Sequence, residues 1–161
     1  MTEIPEPMEH EKWMRRCLEL GERALAAGDP PVGALLVKAG VLIGEGLEAA
    51  RSKNDVTCHA EVEAIRAAVQ RAGVEAVRGA TLYTTHEPCL MCSYVIRHYR
   101  VSQVVIGTTV PAVGGFSSAY PLLTATDIPV WSDPPRVVTD VLGEAARSLS
   151  RRYRPQQSNQ A

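Results

Sequence analysis

Two short motifs constrain this chain more than anything else in it: His59-Ala60-Glu61 and, further along, Pro88-Cys89-Leu90-Met91-Cys92. One imidazole and two thiolates are suitable zinc ligands, and a site with three protein ligands keeps a fourth tetrahedral position for water. If one ion is shared, the fold must bring two separate segments to a single point. Both motifs open stretches that read as helices. HAEVEAIRAAVQRA is rich in Ala and Glu and is closed by Gly73, while Pro88 suits the first turn of a helix over CLMCSYVIRHY. The partial positive charge at helix N-termini favours thiolates at such positions.

The rest of the chain supplies a scaffold. From Glu9 to Ala27 the residues Trp13, Met14, Cys17, Leu18, Leu20, Ala24 and Leu25 recur at helical spacing, and Gly28 and Pro30 end the run. Cys17 and Trp13 fall on its apolar side, and His10 is expected at the surface. VGALLVKAGVLIGEG reads as a hairpin from about Val32 to Leu47, turning at Lys38-Ala39-Gly40. TLYTT and VSQVVIGT are β-branched and predict two strands. A loop, VPAVGGFSSAYP, precedes a predicted strand at IPVW and a last helix that starts between Pro135 and Asp140 and runs to about Tyr153. Strands that alternate with helices favour a parallel continuation between helical layers. The expected fold is α/β, a three-layer α/β/α sandwich around a five-stranded mixed sheet whose first two strands are antiparallel. One domain over residues 1–161 is expected, with 1–8 and 155–161 as flexible tails.

Composition narrows the function classes. The 161 residues are 45% hydrophobic and 22% charged, with a formal net charge of −1. No apolar run approaches the roughly 18 residues that cross a bilayer, and the acidic, proline-broken start does not resemble a secretory signal. A cytoplasmic protein with no membrane partner is expected. The charge balance speaks against a nucleic-acid partner without excluding one, although Arg147, Arg151, Arg152 and Arg154 cluster near the C-terminus. With four cysteines and no signal, metal binding or catalysis is a better reading than disulfides.

Glu61 adds a function to the metal ligands. Removing an amine from an aromatic ring by water requires protons at the ring nitrogen and at the departing amine, and a carboxyl group beside the water can accept and donate in turn. Residues two apart on a helix point about 200° from each other, so His59 and Glu61 can cooperate only within a first turn. Other readings compete. Cys89-x-x-Cys92 alone could be a redox pair, but the upstream His-Ala-Glu argues against it. A structural zinc would need a fourth protein ligand, with Cys58, His86 or His98 as candidates. The spacing H-x-E followed by P-C-x-x-C is the signature of zinc deaminases that act on nucleobases.

More of the chain agrees with that signature. DPPVGALLV, NDVTCHAEVEAIR and TLYTTHEPCLMC resemble the cytidine deaminase superfamily, in the branch that contains guanine deaminase, fungal cytosine deaminase and the tRNA adenosine deaminases. The resemblance covers Trp13 to Gly107 well and the C-terminal third loosely. It implies the same sandwich, one Zn2+ per chain on His59, Cys89 and Cys92, proton transfer by Glu61, and a homodimer. It also places Val32, Ala60 and Glu87 at the substrate, and puts Phe116, Tyr120 and Trp131 in the section that covers it. Where the branch carries a substrate-reading asparagine, this chain has Glu48, and Asn54 is a substitute only if the loop has shifted. An asparagine amide donates and accepts hydrogen bonds, whereas an ionised glutamate only accepts. The expected substrate is therefore a free aminopyrimidine, aminopurine or aminotriazine, with a tRNA adenosine deaminase, a nucleoside deaminase and a noncatalytic zinc-binding module as alternatives.

Overall fold

The computed structural model of the protein describes residues 7–155. In chain order these form α1 (Pro7–Ala26), β1 (Gly33–Lys38), β2 (Val41–Leu47), α2 (Ala60–Ala72), α3 (Val74–Val77), β3 (Thr81–His86), α4 (Leu90–His98), β4 (Gln103–Thr108), β5 (Arg136–Val138) and α5 (Gly143–Arg151). The five strands form one sheet in the order β2-β1-β3-β4-β5. β1 is antiparallel to β2 and β3, and the remaining pairs, β3 with β4 and β4 with β5, are parallel. Of the expected tails, Pro7 and Met8 belong to α1, while residues 1–6 and 156–161 lie outside the described residues.

The strand period of two divides the core. Ala34, Leu36, Leu82, Val104 and Ile106 pack on one face with Ala64, Ile65, Ala68 and Ile96 of α2 and α4. Leu35, Val37, Tyr83 and Val105 face the other way, onto Met14 and Cys17 of α1. α5 lies on that second side against β4. The hairpin turn falls where the sequence places it, because Ala39 and Gly40 both take positive φ, 49° and 75°, as a tight two-residue turn between twisted strands requires.

Several expectations need correction. His10 is buried, not at the surface, with Nδ1 3.0 Å from the Tyr83 hydroxyl; it stands one helical step before Met14 on the stripe that covers the sheet. IPVW is not a strand. Pro129 offers no N–H for a ladder, and Val130 takes φ 62° with its side chain fully exposed. The fifth strand is instead Arg136–Val138, inside the stretch expected to open the last helix, which begins only at Gly143. Gly73, at φ 87°, ends α2 and leads into the short α3, which helical periodicity alone does not separate from α2.

Candidate metal centre and active site

α2 and α4 aim their N-termini at the same point. His59 is the N-cap residue of α2 and Cys89 that of α4, both on extended backbone, and Cys92 follows within the first turn. The His59 Nδ1 atom is 3.5 Å from Cys89 Sγ and 3.6 Å from Cys92 Sγ, and the three ligand atoms lie within 4.8 Å of one another. Zinc bonds of about 2.0 Å to nitrogen and 2.3 Å to sulfur, at tetrahedral angles, separate N and S by about 3.5 Å. These residues therefore fit a zinc ion. Among the described residues the proposed fourth ligands are engaged elsewhere. Cys58 Sγ sits 3.8 Å from an Arg66 nitrogen, His86 bonds Ser150 and Thr85, and His98 stacks on Tyr94.

The hydrogen bond from Cys92, countered by burial and assisted by His59, lowers the Cys89 thiol to about 4. The same bond, with burial and the Glu61 charge, pushes Cys92 far up. Bonding to Cys89, set against burial, raises His59 to about 9. A metal in this triangle would bind thiolates and a neutral imidazole.

Glu61 meets the geometric condition set by its spacing. It follows Ala60 in the first turn of α2, is 4% exposed, and places Oε2 3.4 Å from Cys92 Sγ. Its other oxygen, Oε1, lies 2.9 Å from the Thr84 hydroxyl, which is also 2.9 Å from the His86 carbonyl. Burial raises the carboxyl above its ordinary range. Thr84 is a site residue that motif reasoning misses. Its signal is nevertheless in the sequence, since strand alternation puts it on the same face as Leu82, where a polar residue calls for a partner.

The remaining expected site residues separate. Glu48 follows β2 and is 7% exposed; burial, with Glu61 adding to it and His59 opposing, raises its carboxyl to about 7. The Ala60 N–H, between two motif residues, lies close enough to favour its charged form. Val32 is half-buried and its carbonyl accepts from the Glu48 N–H at 3.0 Å, so Glu48, Ala60 and Val32 border the centre. Glu87 is committed elsewhere: its carboxylate accepts from the Val110, Phe116 and Ser117 N–H groups and the Ser117 hydroxyl, at 2.5–2.8 Å. It fastens the loop after β4 instead of offering oxygens to a substrate. Asn54 is exposed in a turn at φ 51°, and Tyr120 is 61% exposed. Phe116 packs on the larger core. Trp131 sits on α4, 5.4 Å from the Tyr94 ring and 4.7 Å from the Arg97 guanidinium. Arg97 itself is buried and donates to the carbonyls of Leu122, Leu123, Ala125 and Ser132, an anchor that no local pattern in the sequence reveals.

Comparison with known proteins places this geometry. Residues 7–108 match the model of the cytidine and deoxycytidylate deaminase zinc-binding region. The tRNA-specific adenosine deaminase of Haemophilus influenzae is 40% identical over 111 residues, covering 68% of this chain and 64% of that protein. That of Aquifex aeolicus is 34% identical over 116 residues, 72% of this chain and 77% of the relative. A solved structure from work on A-to-I editing by tRNA:A34 deaminases superposes with a TM-score of 0.79 at 30% identity, covering 86% of this chain and 98% of its own. With the ligand triangle and the five-stranded sheet in agreement, this chain belongs to the zinc-binding cytidine and deoxycytidylate deaminase family, hydrolases of C–N bonds.

Proposed function

We propose that the protein hydrolyses the exocyclic amine of an adenosine within a tRNA, releasing ammonia and leaving inosine. The observation that carries the chemistry is the Glu61 carboxyl 3.4 Å from Cys92 Sγ, on the margin of the His59, Cys89 and Cys92 triangle. The tRNA-specific adenosine deaminases among its relatives support the substrate, which favours the expected alternative, a tRNA adenosine deaminase, over the free heterocycle. His59, Cys89 and Cys92 would hold zinc. That ion, when bound, brings the pKa of water down to about 7. Glu61 takes the proton released from the attacking water, delivers it to the ring nitrogen, and moves another to the departing amine. The Thr84 hydroxyl holds Oε1, which leaves Oε2, on the side of the metal ligands, to carry the proton. A raised Glu61 pKa suits a carboxyl that must be protonated during part of the cycle.

Glu48 favours a second reading. It is a buried carboxyl beside the centre, approached by the Ala60 and Ala50 N–H groups and by no side-chain donor among the described residues. An ionised carboxylate only accepts, so a free aminopyrimidine, aminopurine or aminotriazine with N–H groups on that edge would satisfy it. The deciding assay is ammonia release from cytosine, guanine, adenine, their nucleosides and aminotriazines, run beside inosine formation in a tRNA transcript. Turnover of the transcript alone supports the first reading, and turnover of a free base alone supports the second. Glu61→Ala should abolish either activity with zinc retained, by about 10²- to 10⁴-fold; full activity in that variant overturns its role. Release from no substrate would leave a noncatalytic zinc module. A homodimer belongs to the same proposal, supported by the exposed Leu90 and Tyr94 on α4, and sedimentation of the zinc-loaded protein tests it.

A further inference from the structure

Three of the four conspicuous arginines near the C-terminus are ion-paired, and the fourth, Arg154, bonds the Arg151 and Tyr153 carbonyls. Arg147 pairs with Glu144 and Asp140, Arg151 with Glu144, and Arg152 with Glu22. A different set of cations, scattered in sequence, is gathered by the fold at the opposite end of the sheet from the metal ligands. Lys38 Nζ bonds the Arg78 carbonyl, and the Gly79 N–H donates to the Arg100 carbonyl at 2.9 Å. None of Lys38, Arg78 and Arg100 forms an ion pair among the described residues. Arg78 and Arg100 line two adjoining open clefts of about 410 and 330 Å³. Glu75 and Asp133 stand on the rims without pairing to either guanidinium.

The backbone at Arg100 favours glycine. α4 ends in a paired cap: the Val101 N–H donates to the Ile96 carbonyl at 3.3 Å and the Arg100 N–H to the Arg97 carbonyl at 3.1 Å. That cap puts its penultimate residue in the left-handed region, where glycine is the usual choice. Here the position is Arg100, at φ 57°. A side chain there costs about 1 kcal/mol or more relative to glycine, a cost that Arg100→Gly removes.

We propose that this trough, carrying Arg78 and Arg100 with Lys38 beside them, docks the phosphodiester backbone of the RNA whose adenosine reaches the metal centre. The proposal rests on the tRNA reading above. The surface is open and elongated, with guanidinium groups on its rims, whereas small phosphorylated ligands favour enclosed pockets. β3 alone, lying between the trough and Cys89, spans about 17 Å at 3.3 Å per residue, the axial length of about five nucleotide steps. A folded RNA is large enough to span both, and a free base is not.

The test uses zinc-loaded full-length protein and a tRNA transcript, with binding followed by fluorescence anisotropy from 0.05 to 0.3 M salt. Arg78→Ala with Arg100→Gly should weaken binding about tenfold and reduce the log–log salt slope by about 1.5, the loss of two phosphate contacts. The maximal rate at saturating RNA should be unchanged and KM raised. Because glycine relieves the cap, Arg100→Gly alone should be at least as stable as the wild type, so weaker binding cannot come from unfolding. Arg147→Ala with Arg151→Ala, from the neutralised cluster, should leave the slope unaltered. An unchanged slope in the first double variant, or an equal loss in the second, overturns the docking surface. Wild-type protein that binds tRNA through this trough but turns over only free bases sinks the substrate reading and spares the surface; absence of tRNA binding sinks both.

Discussion

Between Pro7 and Thr108 the chain is held by interleaved apolar side chains: Leu36, Leu82 and Ile106 toward α2, Leu35, Tyr83 and Val105 toward α1. From Thr109 to Ser132 most of the chain is loop, and three polar residues borrowed from the first region hold much of the chain beyond β4. Glu87 gathers three N–H groups and a hydroxyl, Arg97 gathers four carbonyls, and His86 reaches across to Ser150 on α5. The first region is specified by periodicity and tolerates errors at single positions. The second is specified by a few charged or hydrogen-bonded groups, each of which holds many backbone atoms at once. Single substitutions at those anchors should therefore act regionally, which is how the contrast can be broken.

The largest effect is expected at Arg97. Replacing it with Ala removes a 3%-exposed guanidinium and leaves several carbonyls without their donors, a cost of about 3 kcal/mol in unfolding free energy. Hydrogen exchange should accelerate at the amides of Leu122 to Trp131 while those of β1 and α2 keep their protection. Arg97→Lys should not restore stability, because an ammonium cannot reproduce the planar fork over four acceptors. If protection falls evenly across the sheet instead, Arg97 belongs to the common core and the two-region contrast fails.

His86 sharpens the contrast through pH. Burial lowers its pKa from 6.5 to about 4, so the native state holds it neutral between those values while the unfolded chain takes up a proton. Above pH 6.5 both states are neutral and His86 adds no pH dependence. Below it, stability falls by about 1.4 kcal/mol per unit until pH 4. In zinc-loaded protein, the wild type should lose about 2 kcal/mol relative to His86→Gln on going from pH 7 to pH 5. Parallel stability curves for the two proteins over that range would mean that His86 is solvated in solution and does not tie α5 to β3.

The same division explains what can be read without a structure. The metal triangle is legible because ligand chemistry allows few alternatives: His59, Cys89 and Cys92 open two helices, and a shared ion forces those helices together. Strand alternation announces Leu82 and Ile106 equally well. Trp131 is harder to place, because nothing local distinguishes an aromatic that covers a pocket from one that lies over the Arg97 guanidinium. Glu87 invites assignment to the substrate because a carboxylate next to a metal motif looks reactive, and only the path of the loop after β4 shows that its oxygens are filled. Apolarity points to IPVW as the fifth strand, whereas Arg136–Val138 wins by its register beside Gln103–Val105. Long-range pairing of this kind leaves no mark in the sequence near the strand.

Val130 yields the smallest and most local prediction. The residue is β-branched, fully exposed, and held at φ 62°, a combination that sterics disfavour and that no packing of the side chain offsets. Asparagine adopts this conformation far more readily, since its short polar side chain bonds locally. Val130→Asn should therefore stabilise the protein by about 1 kcal/mol, with activity unchanged because Arg97 holds the segment through the carbonyls on either side. Glycine would relieve the same strain but restore freedom to the unfolded chain, so Val130→Gly should gain less. Equilibrium denaturation of the three proteins at pH 7 gives the order Asn, Gly, Val from most to least stable. If Val is the most stable of the three, its side chain is covered in solution, and the face beside Tyr94 and Trp131 is then the place to look for the second protomer.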